Sequence, residues 1–134
     1  MIRPAAIAVL TLGAALLVAC QLFDSGIPWR HGRFALLWID LPDEVRLSYE
    51  EGNGGWSEII PARVFAVGSD DRYIVAQQHP GGDKAITNYF ILDTKQHDSR
   101  QRAGLIGPLT AAQFERKASE LKLPPFTTVL ESLR

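Results

Sequence analysis

The sequence predicts an α+β fold that is mainly β: a small antiparallel meander sheet of five or six strands with one C-terminal amphipathic helix packed on it. Three observations lead there. Short apolar segments, some in strict alternation, recur along the body of the chain. Between them lie Gly, Pro, Asn and Asp clusters that suit tight turns. Near the end, one segment changes to a 3.6-residue period behind a capping motif.

The elements follow in chain order. Arg33–Asp40 is rich in aromatic and branched residues. It runs into Leu41-Pro42-Asp43-Glu44, where Pro42 suits position i+1 of a type I turn. Val45–Glu50 alternates, with Val45, Leu47 and Tyr49 on one face and Arg46, Ser48 and Glu50 on the other. The two segments make a hairpin. Glu51–Gly55 is a flexible loop. Trp56–Val67 is apolar but interrupted by Pro61, which cannot donate to a ladder and so marks an edge or bulge. Ala62–His79 forms the clearest hairpin, turning at Gly68-Ser69-Asp70-Asp71, and Ala85–Leu92 adds a strand after Pro80–Asp83. Asp93–Ala103 is polar and without period, a solvated loop. Leu105–Gly107 reads as a short strand. Thr110-Ala-Ala-Gln113 fits a capping box, and Ala111, Phe114, Ala118 and Leu121 share one helical stripe up to Leu123-Pro124-Pro125. The tail Phe126–Arg134 either docks through Phe126, Val129, Leu130 and Leu133 or stays loose. One helix cannot bury its stripe alone and should cover a sheet face.

The N-terminal residues read differently. Met1–Pro4 holds one Arg, and Ala5–Ala19 has no charge. This is the shape of a secretory signal, short for a spanning helix of about 20 residues. The run ends in Leu17-Val18-Ala19-Cys20, which resembles the lipobox of bacterial lipoproteins. That resemblance implies cleavage between Ala19 and Cys20 and attachment of acyl chains, palmitate among them, at Cys20, the only cysteine. An ordinary cleaved signal and an uncleaved anchor are the competing readings. The expected organisation is a signal peptide over 1–19, a lipidated Cys20 with a tether over 20–32, and a single β-rich domain over 33–134. The twelve residues after Cys20 reach at most about 40 Å. Gln21 rather than Asp after the Cys favours the outer membrane over the inner one in a Gram-negative envelope. Trp29 in the tether should pack on the domain edge.

Further motifs extend the resemblance. Asp71-Arg72-Tyr73-Ile74-Val75-Ala76 with His79-Pro80, then Tyr89-Phe90-Ile91-Leu92-Asp93, then Gly107-Pro108-Leu109-Thr110 is similar to the pattern of a family of small bacterial lipoproteins of unknown function. The resemblance implies a fold and a location, and no functional residue.

Composition narrows the function classes. With 14 Lys+Arg against 15 Asp+Glu the formal net charge is -1. Nucleic acid is therefore not an expected partner, since that needs a basic face. A lone Cys builds neither an internal disulfide nor a Cys-rich zinc site. His31, His79 and His97 have no metal-motif spacing; His79 with Asp83 could converge in a turn, but a hydrogen-bonded turn histidine fits better, and His97 should be exposed. Asp40, Asp43 and Glu44 lack the alternating oxygens of a calcium loop. No Gly-x-Ser-x-Gly elbow is present, and the glycines at 52–55 and 81–82 do not join a strand to a helix as a phosphate loop would. The expectation is a non-catalytic envelope lipoprotein with no cofactor, held to the membrane by its N-terminus and presenting its domain to an unknown envelope protein or glycan. The alternative is a small periplasmic enzyme or enzyme inhibitor with a loop-built site. Trp56, beside the Glu51–Gly55 loop, is the foremost candidate contact residue, since Trp supplies much binding energy from a small area.

Overall fold

A computed structural model describes residues 24–134. The signal segment, Ala19 and Cys20 lie outside the described residues. The described chain forms nine strands, one α-helix and a short 3-10 turn at Pro80–Gly82: β1 (Ser25–His31), β2 (Phe34–Ile39), β3 (Arg46–Glu50), β4 (Trp56–Ile60), β5 (Val64–Ser69), β6 (Tyr73–Gln78), β7 (Asn88–Asp93), β8 (Leu105–Leu109), α1 (Ala111–Leu121) and β9 (Thr128–Val129). The strands make two antiparallel sheets rather than one meander. The first has the order β1-β2-β3-β4 and the second β8-β7-β6-β5-β9.

The extra strands have local causes. Ser25–His31, expected as part of a tether, pairs with β2 instead. Its Gly and Pro residues are tolerated because β1 is an edge strand with a register shift between Gly26 and Trp29, so Pro28 sits where the ladder is already interrupted. A Cβ at Gly26 would collide with the Trp38 indole. Ser25–His31 is therefore strand within the first sheet, not tether. Pro61 divides the long apolar stretch Trp56–Val67 into β4 and β5, which belong to different sheets. At this corner Arg63 and His79 exchange backbone hydrogen bonds of 3.0 and 2.9 Å. The tail docks: β9 pairs with β5, and Leu133 is buried. At Gly68 a side chain would strike the carbonyl oxygen of Pro125, so the close approach of the tail needs glycine there.

One continuous core joins the inner faces of the two sheets. Phe34, Leu36, Leu47 and Ile60 from the first meet Val67, Ile74, Ala76, Phe90 and Leu92 from the second. A second cluster lies on the far side of the second sheet, where Val75 and Ile91 pack against Phe114 of α1. The second sheet is thus covered on both faces. The helix begins as the capping box requires: the Gln113 N–H donates to Thr110 Oγ1 at 3.2 Å, and the Thr110 N–H donates to Gln113 Oε1 at 2.9 Å. Of its stripe, Phe114 is buried, Ala118 and Leu121 are half-buried, and Ala111 is exposed.

Candidate functional site

Two loops that are far apart in sequence meet at one end of the sandwich. The hairpin loop between β3 and β4 carries Glu51, and the long β7–β8 connection carries His97 and Ser99. Ser57 Oγ and Ser99 Oγ each donate to Glu51 Oε1 at 2.8 Å. These bonds hold the Glu51 carboxyl below the usual carboxylate range, Ser99 contributing most and Ser57 next, while burial opposes them and the Arg33 and His97 charges add a little. The Asp93–Ala103 connection, expected as a solvated loop, is tied down. Asp98 bridges to Ala103, and its carboxylate accepts from the Arg100 N–H at 2.9 Å.

His97 differs from its expected exposure. It is half-buried, 5.2 Å from the Phe34 ring and 4.7 Å from the Tyr49 ring between centroids. Burial pushes its imidazole pKa down, with the nearby Glu51 and Asp98 charges opposing. Its Nε2 is buried without a hydrogen-bond partner. Beside it runs a cavity of about 200 Å³, between β4 and the β7–β8 connection, lined by Glu58, Ile59, Pro61, His97, Ser99 and Arg102 among others. That is below the 300–1,000 Å³ typical of ligand pockets. It could admit a group of a few atoms, with Glu58 and Arg102 offering opposite charges. Ser99 Oγ, which also lines the cavity, donates its hydrogen bond to Glu51.

Trp56 occupies the first position of β4, paired with Glu50. It is half-buried and belongs to neither core cluster. The Arg30 guanidinium lies 5.4 Å from its ring centre and also bonds Glu50 at 2.8 Å. Trp56 forms one end of a trough of about 200 Å³ that runs past Glu58, Ser48, Arg46 and Leu37 to Glu44 and Ile39. This trough lies on the outer face of the first sheet, where Ala35, Leu37 and Ser48 are buried and Arg46 is exposed. Trp29, in contrast, packs against the core edge.

The remaining candidates resolve into structural contacts. His79 is buried and stacked on Phe65 at 4.2 Å, with Nδ1 2.9 Å from the Ile86 carbonyl oxygen. Asp83 instead accepts from the Ala85 N–H, so the two do not converge. Glu44 pairs with Arg63 at 3.2 Å. Among the described residues no group of three His, Cys, Asp or Glu side chains could hold a metal ion. His31 Nδ1 lies 3.0 Å from Ser69 Oγ, linking β1 to β5 across the two sheets. Neither this contact nor the Glu51–Ser99 bond carries a sequence signal, because their partners stand 38 and 48 residues apart.

A family model described as a protein of unknown function (DUF3997) matches residues 31–130. No curated protein and no solved structure matches the chain. No helix among the described residues is long and apolar enough to cross a membrane.

Proposed function

The chain belongs to the DUF3997 family, whose function is unknown, and on that premise we propose that it is a lipid-anchored bacterial envelope protein that presents a β-sandwich to an envelope partner without catalysis of its own. The observation that carries this reading is Leu17-Val18-Ala19-Cys20 at the end of an uncharged run, five residues before the first paired strand at Ser25. A folded domain that begins this close to the cysteine suits an acylated N-terminus. Two or three acyl chains would hold it stably, at about 0.8 kcal/mol per buried CH₂. Gln21 favours the outer membrane if the envelope has two. The presented surface is the Trp56 end of the first sheet, beside the Glu51–Gly55 loop.

Labelling cells with an alkyne fatty acid tests the anchor. The protein takes up label, and Cys20→Ser abolishes it; label persisting in that variant refutes the reading. Trp56→Ala tests the surface. Its ring is only half-buried, so the variant melts close to the parent but captures less of the crosslinked partner.

A second reading, a small loop-built site for a ligand or reaction, draws on the unpartnered Nε2 of His97 beside its cavity. It requires that a small molecule shift the His97 imidazole resonances, and that His97→Leu abolish that response.

A further inference from the structure

The chain joins the described fold at a particular corner of the first sheet. Ser25 pairs with Ile39, and the Asp40 N–H donates to the Asp24 carbonyl at 2.9 Å. Cys20 precedes Asp24 by four residues, which span at most about 14 Å. Whatever holds Cys20 therefore lies close to this corner.

The same corner is unusually apolar at its surface. Ile39 is 60% exposed, Leu41 61% and Ile27 44%, three of the five large hydrophobic side chains exposed among the described residues. Their places are set by the backbone. Ile39 and Leu41 flank Asp40, whose φ of 66° turns the chain out of β2, and Ile27 follows Ser25 by two residues. The charges beside them are mostly acidic. Asp24, Asp40 and Asp43 are exposed, while Arg46 pairs with Glu58 and Arg63 with Glu44.

Register then fixes what faces the other way. In the first sheet Leu37 pairs with Arg46 and Phe34 with Tyr49, while Trp56 pairs with Glu50. Ile39 thus stands at one end of the strands. Trp56, the Glu51–Gly55 loop and the Ser99 contact stand at the opposite end.

We propose that Ile27, Ile39 and Leu41 rest on the lipid surface beside the anchor, so that the sandwich stands on this corner with the Trp56 end turned away from the membrane. This rests on the anchored reading of Cys20. The short leash restricts the corner to the interfacial region, and the three exposed apolar side chains close to it in the chain and the β1–β2 register gain by leaving water there. The exposed aspartates favour zwitterionic over anionic headgroups.

The test uses the full lipidated protein in phosphatidylcholine vesicles. Acylation consumes the Cys20 thiol, so Leu41→Cys and Asn53→Cys each supply a single site for a nitroxide label. The label at 41 is expected to be several-fold less accessible to a water-soluble relaxing agent than the label at 53, and more accessible to oxygen dissolved in the lipid. Adding phosphatidylglycerol should weaken that protection; stronger protection would contradict the role given to the aspartates. Equal water accessibility at both sites, in protein that floats with the vesicles, overturns the seating and leaves the anchor standing. A label at 41 shielded from both agents also overturns it, in favour of a protein contact. Protein that neither floats nor carries acyl mass at Cys20 removes both readings together.

Discussion

Truncating Phe114 to alanine tests whether the helix is part of the folding unit. Phe114 is 7% exposed and is the one buried residue of α1. Its ring stacks on Tyr89 at 5.0 Å and lies 5.5 Å from Phe126, above Val75 and Ile91. Removing a buried phenyl ring costs about 3–5 kcal/mol through lost transfer free energy and the cavity left behind. Two effects set the position within that range. The helix sits on the outside of the second sheet and can settle inward, which lowers the cost. Loss of two aromatic pairs, each contributing about 0.5–1.5 kcal/mol beyond its area, raises it. A value of about 4 kcal/mol follows, a large part of the 5–15 kcal/mol that holds a typical domain. At about 4 °C per kcal/mol for a domain of this size, the melting temperature of residues 21–134 should fall by roughly 16 °C. Thr110→Ala, which removes one cap bond and leaves the packing intact, should cost only about 1 kcal/mol. Circular dichroism melts and urea titrations of the three proteins measure both. A Phe114→Ala protein that melts within a degree or two of the parent refutes the argument. So does loss of the helical signal alone, with the sheets melting unchanged.

Three further outcomes are expected. The Asp93 carboxyl is held below its ordinary value of 3.8, chiefly by its hydrogen bond from Arg72, so stability is full above that pH and is lost as pH falls toward the folded value; Asp93→Asn should flatten acid titrations of stability in that range. His97, whose pKa burial lowers from 6.5, binds its proton more readily when unfolded, so stability declines as pH falls below 6.5; His97→Leu should remove that part of the decline, and an unchanged pH profile would contradict it. Gly68→Ala should push the tail off β5, seen as rapid proteolysis within Phe126–Arg134, because its new Cβ meets backbone that cannot swing aside.

What the sequence discloses and what it conceals follow from the range of the interactions. The β2–β3 and β5–β6 hairpins and the α1 cap rest on residues close in the chain, and each lies where alternation, turn chemistry and the Thr110–Gln113 spacing put it. β1 was hidden because Gly26, Pro28 and Gly32 have the composition of a linker; only the chance to pair with the free edge of β2 makes them a strand. Glu51 and Ser99, and His31 and Ser69, meet only through the closed fold. The burial of His97 is concealed for a related reason. Its neighbours in sequence are polar, but the rings that bury it, Phe34 and Tyr49, come from the first sheet.

The division into two sheets had a sequence signal of its own. Val64-Phe65-Ala66-Val67 and Ile74-Val75-Ala76 are continuous apolar runs, unlike the alternating Val45–Glu50, and continuous runs belong to strands buried on both faces. All seven of these residues are buried. The one α-helix among the described residues has one apolar stripe and can cover only one face of such a sheet. A second layer must therefore cover the other face; the alternating β3 supplies part of it, together with β2, which is itself a continuous apolar run buried over Phe34, Ala35, Leu36 and Leu37. Pro61 sits at the boundary between the two patterns, where the ladder must stop. By the same reasoning the outer face of the first sheet belongs only in part to solvent: Arg46 is exposed and Trp56 half-buried, while Ala35, Leu37 and Ser48 on the same face are buried.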